Sequence, residues 1–130
     1  MGITNTDGYI AVWLGSFRDE DDFKEYKKVH YEYDDTVEDI DSQFEKDFGL
    51  KYYDRDIVEF NFLNEANNTL RALFKGSSYL DKYINSLDDE NMLNYNVIIR
   101  VYDYNYAGEK KGCNYKGNSL EFYDNIVYEK

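Results

Sequence analysis

The 130-residue chain has no proline, one cysteine, one histidine and one tryptophan. A lone Cys113 cannot close an internal disulfide, and a free thiol fits a reducing compartment. With His30 and Cys113 as the only pair of its kind, nucleophilic catalysis is poorly supplied. His30 closes an expected helix and Cys113 lies in a Lys- and Gly-rich turn, so structural or surface roles are expected for both and no enzymatic activity is anticipated. No segment reaches the ~18 apolar residues needed to span a bilayer, and Met1 to Asp7 lacks the basic start and apolar run of a secretion signal. A cytoplasmic address follows as the expectation. Internal repeats and low-complexity linkers are also missing, so residues 1–130 read as a single domain. A chain of this size can bury roughly two thirds of its unfolded surface without disulfides or metal.

What the chain holds in excess is acid and aromatic rings: 27 Asp and Glu against 15 Lys and Arg, with 15 Tyr and 8 Phe. High charge with low hydropathy is a mark of disorder, but an aromatic content of 18% supplies buriable area that disordered chains lack. The acid is unevenly placed. Residues 1–65 hold 18 acidic and 7 basic side chains, residues 66–130 hold 9 and 8, so the first half carries −11 and the second −1. The densest stretch, Glu32 to Asp47, has eight carboxylates (Glu32, Asp34, Asp35, Glu38, Asp39, Asp41, Glu45 and Asp47) opposed only by Lys46. Such a block repels nucleic-acid phosphates and anionic membranes and attracts basic proteins. The expected partner is therefore a basic protein, with no nucleic acid and no membrane, met by a monomer.

Tyr9 to Leu14 is an apolar run of strand length ended by Gly15. Acids from Asp19 to Asp22, followed by Phe23 and Tyr26 at helical spacing, predict a first helix from about Arg18 to Val29. His30 to Tyr33 reads as a short strand, and the acidic segment through Asp39 as an exposed loop. Ser42-Gln-Phe-Glu45 matches a capping box, with Phe44 and Phe48 four apart and Gly49 as a stop. Val58, Phe60 and Phe62 alternate as a half-buried strand. Leu70, Leu73 and Phe74 predict a short helix, Gly76-Ser-Ser78 breaks it, and Leu80, Tyr83, Ile84 and Leu87 predict another, capped by Ser78. Val97, Ile99 and Val101 alternate as a strand, and Leu120, Phe122 and Ile126 to Tyr128 form a returning strand expected to pair with it across a long loop. The predicted class is α+β, with helices packed on a mainly antiparallel sheet that ends in a C-terminal hairpin.

Among chemistry-bearing groups, Asp19-Glu-Asp-Asp22 resembles a hard-metal cluster, but a helix N-terminus favours acids for dipole reasons alone. None of the acidic runs has the alternating order and central glycine of a calcium loop. No metal and no cofactor are expected. The acidic segment and Tyr52-Tyr-Asp-Arg-Asp56 interleave carboxylates with tyrosines, a combination suited to protein recognition. Trp13 is expected in the core. Asn67-Asn-Thr69 matches a glycosylation acceptor, which has no meaning in a cytoplasmic protein.

Taken in order, Val12-Trp-Leu-Gly-Ser-Phe17, Phe23 and Tyr26, Asp41-Ser-Gln-Phe44 with Asp47-Phe-Gly49, and then Tyr52-Tyr-Asp54, Asp56 and Glu59 resemble a family of bacterial immunity proteins from polymorphic toxin systems. That family, immunity protein 22, was formerly a domain of unknown function, and its members begin with a strand reading W-x-G-x-F. The likeness runs through Phe62 and more loosely to the final strands. It implies a small α+β cytoplasmic protein that binds a toxin domain without a cofactor. Trp13, Gly15, Phe17, Phe44, Phe48 and Gly49 match motif positions whose chemistry suits packing and turns. Asp47, Tyr53, Asp54 and Asp56 match as polar positions suited to binding, and Asp34, Asp35, Glu38 and Asp39 join them as expected toxin contacts. The expected target is a basic nuclease, blocked at its active site or substrate groove. An acidic nucleic-acid mimic would spread its charge more evenly, and a metal-assisted hydrolase would use the Asp19 or Asp39 clusters.

Overall fold

The computed structural model describes residues 8–28, 42–50, 57–87 and 91–128. Five strands form one antiparallel sheet: β1 (Tyr9–Ser16), β2 (Val58–Phe62), β3 (Val97–Tyr102), β4 (Gly112–Tyr115) and β5 (Asn118–Val127), in the order β2-β3-β1-β5-β4. Three helices accompany it: α1 (Glu20–Lys27), α2 (Gln43–Phe48) and α3 (Leu70–Phe74). The architecture is α+β, as the sequence predicts.

Each helix starts where a side chain satisfies a free backbone donor. Asp19 accepts from the Asp22 amide at 2.8 Å, and α1 ends at Lys28, shorter at both ends than the spacing predicts. The capping box of α2 is complete. Ser42 Oγ accepts from the Glu45 amide at 3.1 Å, and Glu45 Oε1 accepts from the Ser42 amide at 2.7 Å. Gly49 then closes the helix at φ 63°, a left-handed geometry that glycine adopts without a Cβ penalty. Thr69 caps α3.

The continuous apolar runs of β1 and β3 have a reason: both faces of the sheet are covered. All six residues of β3 are buried. One face gathers Ala11, Trp13, Val97, Ile99 and Val101 with Phe23 and Tyr26 of α1 and Phe44 and Phe48 of α2. The opposite face gathers Ile10, Val12, Leu14 and Ile98 with Leu70, Leu73 and Phe74 of α3. The position of β3 between β1 and β2, with both faces covered, buries its alternate residues as well.

On the first face, Trp13 is enclosed by the rings of Phe44, Tyr106, Phe122 and Phe48 at centroid distances of 5.1, 5.2, 5.3 and 5.5 Å. Edge-to-face pairs at this spacing add stability beyond their buried area. Gly15 lets β5 approach closely, since a Cβ there would stand 2.6 Å from the Ser119 carbonyl oxygen.

Three expectations need correction. The C-terminal hairpin exists, but it joins β4 to β5 through Lys116 and Gly117, both at positive φ, the turn geometry that matches strand twist. β3 is separated from β5 by β1 and pairs with β1 and β2 instead. Cys113 accordingly lies in a strand, in a stretch whose lysines and glycines read as a turn. Leu80 to Leu87 forms two 3-10 turns, Leu80–Lys82 and Ile84–Ser86, in place of a helix; Ser78 does not cap them but donates to Glu59. The broken alternation of β5 also has a cause. Trp13 pairs with Phe122 and Val12 with Asp124, so Tyr123 is an extra residue, 43% exposed. This bulge turns Leu120 and Phe122 toward the first face and Ile126 toward the second. The expected strand at His30 to Tyr33 and the acidic loop lie outside the described residues.

Candidate binding surface

Of the eight expected contact residues, Asp34, Asp35, Glu38, Asp39, Tyr53, Asp54 and Asp56 lie outside the described residues, and Asp47 lies within them. Asp47 sits half-buried on α2, where its Oδ2 accepts from the Tyr26 hydroxyl at 2.9 Å and its Oδ1 from Gln43 Nε2, also at 2.9 Å. Its carboxylate ties α2 to α1. Glu45, from the same acidic run, is buried in the capping box.

Of the six motif positions assigned to packing and turns, four are rings of one core, Gly49 closes α2, and Gly15 lies inside β1, which continues through it to Ser16 rather than ending there. Trp13, Phe44 and Phe48 share one aromatic cluster, Phe17 stacks on Phe23 at 5.3 Å, and Gly15 and Gly49 occupy positions that a side chain would crowd or strain.

Cys113 and the Tyr26 hydroxyl are 3.2 Å apart. Burial pushes the Cys113 thiol above its ordinary range and outweighs the lowering effect of the Tyr26 hydrogen bond. A reactive cysteine needs the opposite shift. Its candidate partner His30 lies outside the described residues. Within the metal-like run Asp19-Glu-Asp-Asp22, Asp19 serves the N-terminus of α1 and Asp22 accepts from Arg18 and Asn118. Among the described residues no group of three His, Cys, Asp or Glu is placed to hold a metal ion.

A second cluster, not anticipated from sequence, lies on the opposite face of the sheet. Arg100 of β3 is 1% exposed, with Nη1 bonded to Ser77 Oγ and 3.8 Å from Glu59 Oε1, its register partner on β2. Burial lowers the Arg100 guanidinium below its ordinary range, and the negative charge of Glu59 works against that. Glu59 accepts from the Tyr102 hydroxyl at 2.6 Å, from the Ser78 amide at 3.1 Å and from Ser78 Oγ at 2.7 Å. Burial would raise its carboxyl, but those bonds together with Arg100 hold it below the usual carboxylate range. The signal for this cluster was present. Arg100 interrupts a strand whose neighbours are apolar on both faces, and a charge in such a place requires a partner.

Beside this network is a cleft of about 240 Å³ lined by Ile57, Glu59, Ser78, Tyr79, Tyr102, Asp103 and Tyr128. The rings of Tyr79, Tyr102 and Tyr128 form a triangle with centroids 5.5 to 6.3 Å apart. Tyr79 is 45% exposed and holds φ 59°, which is costly for a residue with a Cβ.

These features define a small α+β protein whose described nucleophilic side chain is held protonated and whose described carboxylates of the acidic run are bonded into its own frame. The chain belongs to the Immunity protein 22 family, whose model matches residues 10–129. No curated protein matches it, and no solved structure does. No helix among the described residues is long and apolar enough to cross a membrane.

Proposed function

We propose that this chain neutralises a cognate toxin domain by stoichiometric binding, without turnover, in the cytoplasm of the cell that makes it. Membership of the immunity family over residues 10–129 carries this reading. The placement of −11 of its −12 net charge in residues 1–65 gives the partner its chemistry, a basic surface. Nucleases carry such surfaces for their substrates and are the first class to try. Carboxylates at Asp34, Asp35, Glu38, Asp39, Asp54 and Asp56, with Tyr53, steer the encounter and accept charge-assisted bonds from Arg and Lys. Asp47 contributes mainly by fixing α2 against α1, since both of its oxygens already accept bonds from within the chain.

The test is pull-down of the cognate toxin domain and measurement of its binding, followed by charge reversal at Asp34, Asp35, Asp54 and Asp56. The expected result is an association rate at least tenfold lower at low salt, with a flatter dependence on ionic strength. A folded quadruple variant that associates at the wild-type rate and affinity would overturn the assigned surface.

A further inference from the structure

The acidic run of residues 28–41 lies in the chain between α1 and α2, and its six carboxylates are opposed only by Lys28. Like charges in such a run repel one another, so its two stems need a fixed base. The downstream stem is the capping box at Ser42. The upstream stem is the last turn of α1, where Tyr26 is buried. Tyr26 is the side chain that joins the two. Its hydroxyl donates to Asp47 Oδ2 on α2 at 2.9 Å and stands 3.2 Å from Cys113 Sγ on β4. A hydroxyl has one proton and an ionised carboxylate can only accept, so that proton points to Asp47 and the thiol donates to the hydroxyl oxygen. One oxygen thus links α1, α2 and β4. Burial, with Cys113 and Asp47 adding to it, raises the Tyr26 hydroxyl far above its ordinary range, which keeps it a donor. The ring is held as well, 5.0 Å from Tyr115, 5.5 Å from Phe17 and 6.2 Å from Phe44. Both donors to Asp47, the Tyr26 hydroxyl and the Gln43 amide, are neutral. A lysine or arginine in their place would tie the helices too, but it would cancel a negative charge beside the acidic run and compete with a partner's cations.

We infer that the Tyr26 hydroxyl is a positioning group for toxin binding, which through Asp47 fixes the two stems of the acidic run without neutralising it. The inference rests on the immunity reading for the partner, while the clasp itself stands on the geometry of Tyr26, Asp47 and Cys113. Charge steers the encounter and geometry holds the complex, so loss of the hydroxyl acts on dissociation rather than association.

Three single variants of the full chain test this against the toxin domain recovered by pull-down, with thermal melts confirming that each folds. Tyr26→Phe keeps the ring and the net charge and removes the clasp, so at least tenfold faster dissociation at an unchanged association rate is expected. Asp47→Leu removes the acceptor and should dissociate as fast. Asp47→Asn still accepts from Tyr26, and Gln43 can turn its amide to accept from the new one, so dissociation within about twofold of wild type is expected. A folded Tyr26→Phe that dissociates at the wild-type rate overturns the inference. So does an Asp47→Asn as weak as Asp47→Leu, which would make the Asp47 charge a direct contact. Amide exchange reads the clasp without toxin: in Tyr26→Phe the Lys46 and Leu50 amides, bonded to Ser42 and Glu45, should exchange several-fold faster while those of β3 are unchanged. Equal protection overturns the clasp. Faster exchange in the variant of a chain that never binds a toxin sinks the immunity reading while the clasp stands.

Discussion

The two faces of the sheet are built from different materials. Under α1 and α2 a cluster of aromatic rings, centred on Trp13 and closed by motif residues Phe17, Phe44 and Phe48, packs against the aliphatic side chains of β1 and β3. Under α3 and the two 3-10 turns, aliphatic residues surround a buried arginine and its glutamate, and the rim opens into a cleft. Among the described residues the first face is closed by interlocking rings. The second holds charge at a cost that apolar packing would not have incurred, and a buried ion pair is weak evidence for stability on its own. Both faces carry a buried core, but only the second holds a buried charge pair within it.

The largest test of that contrast is Trp13→Ala. Emptying the centre of four rings should cost ~3–5 kcal/mol, read as a fall in the urea midpoint. A loss under about 1 kcal/mol would show that the aromatic face is not the one that holds the molecule together.

Next comes the ion pair, where the two partners should behave unequally. Glu59→Leu strands an Arg100 that is 1% exposed and should cost ~3–5 kcal/mol. Arg100→Met leaves a Glu59 whose side chain is 30% exposed and still bonded to Ser78 and Tyr102, so a smaller loss is expected. The double variant should recover most of the stability. Because the folded carboxyl of Glu59 lies below its ordinary value, its contribution is present above the normal glutamate range and is lost as pH falls through and below it. Wild type should therefore weaken on acidification more steeply than Glu59→Leu. Equal costs for the two single variants would break the asymmetry.

The smallest effect belongs to the edge of the first face. Ser42→Ala removes one half of the capping box of α2 and should cost ~1 kcal/mol, read as a small fall in the urea midpoint.

How far the sequence revealed these features depended on how local each one is. The capping box at Ser42 to Glu45, the stop at Gly49 and the alternation of Val58, Phe60 and Phe62 are written within a few residues, and the structure contains each of them. Which strand lies beside β5 is not local. Val97 to Val101 and Leu120 to Phe122 have similar patterns, and nothing in either says that β1 lies between them. β4 was hidden because four residues among lysines and glycines carry no hydrophobic period. The bulge at Tyr123 scrambled the alternation of β5 in the same way. For the binding surface, Asp47 was legible as a carboxylate but not as one whose oxygens are already engaged, since Tyr26 and Gln43 meet it only once α1 and α2 are packed. The cleft escaped notice because Glu59, Tyr79, Asp103 and Tyr128 converge from four separate stretches of chain.

The position of β1 also governs when the molecule can exist. This strand is made early but sits at the centre of the sheet, and both its neighbours come late: Ile10 pairs with Tyr102, and Tyr9 with Val127. On the ribosome, this apolar segment waits through about ninety residues of synthesis before its first neighbour is made, and pairing across such separations is intrinsically slow. The sheet therefore closes only once β3 and β5 have both been made, because β1 lies between them.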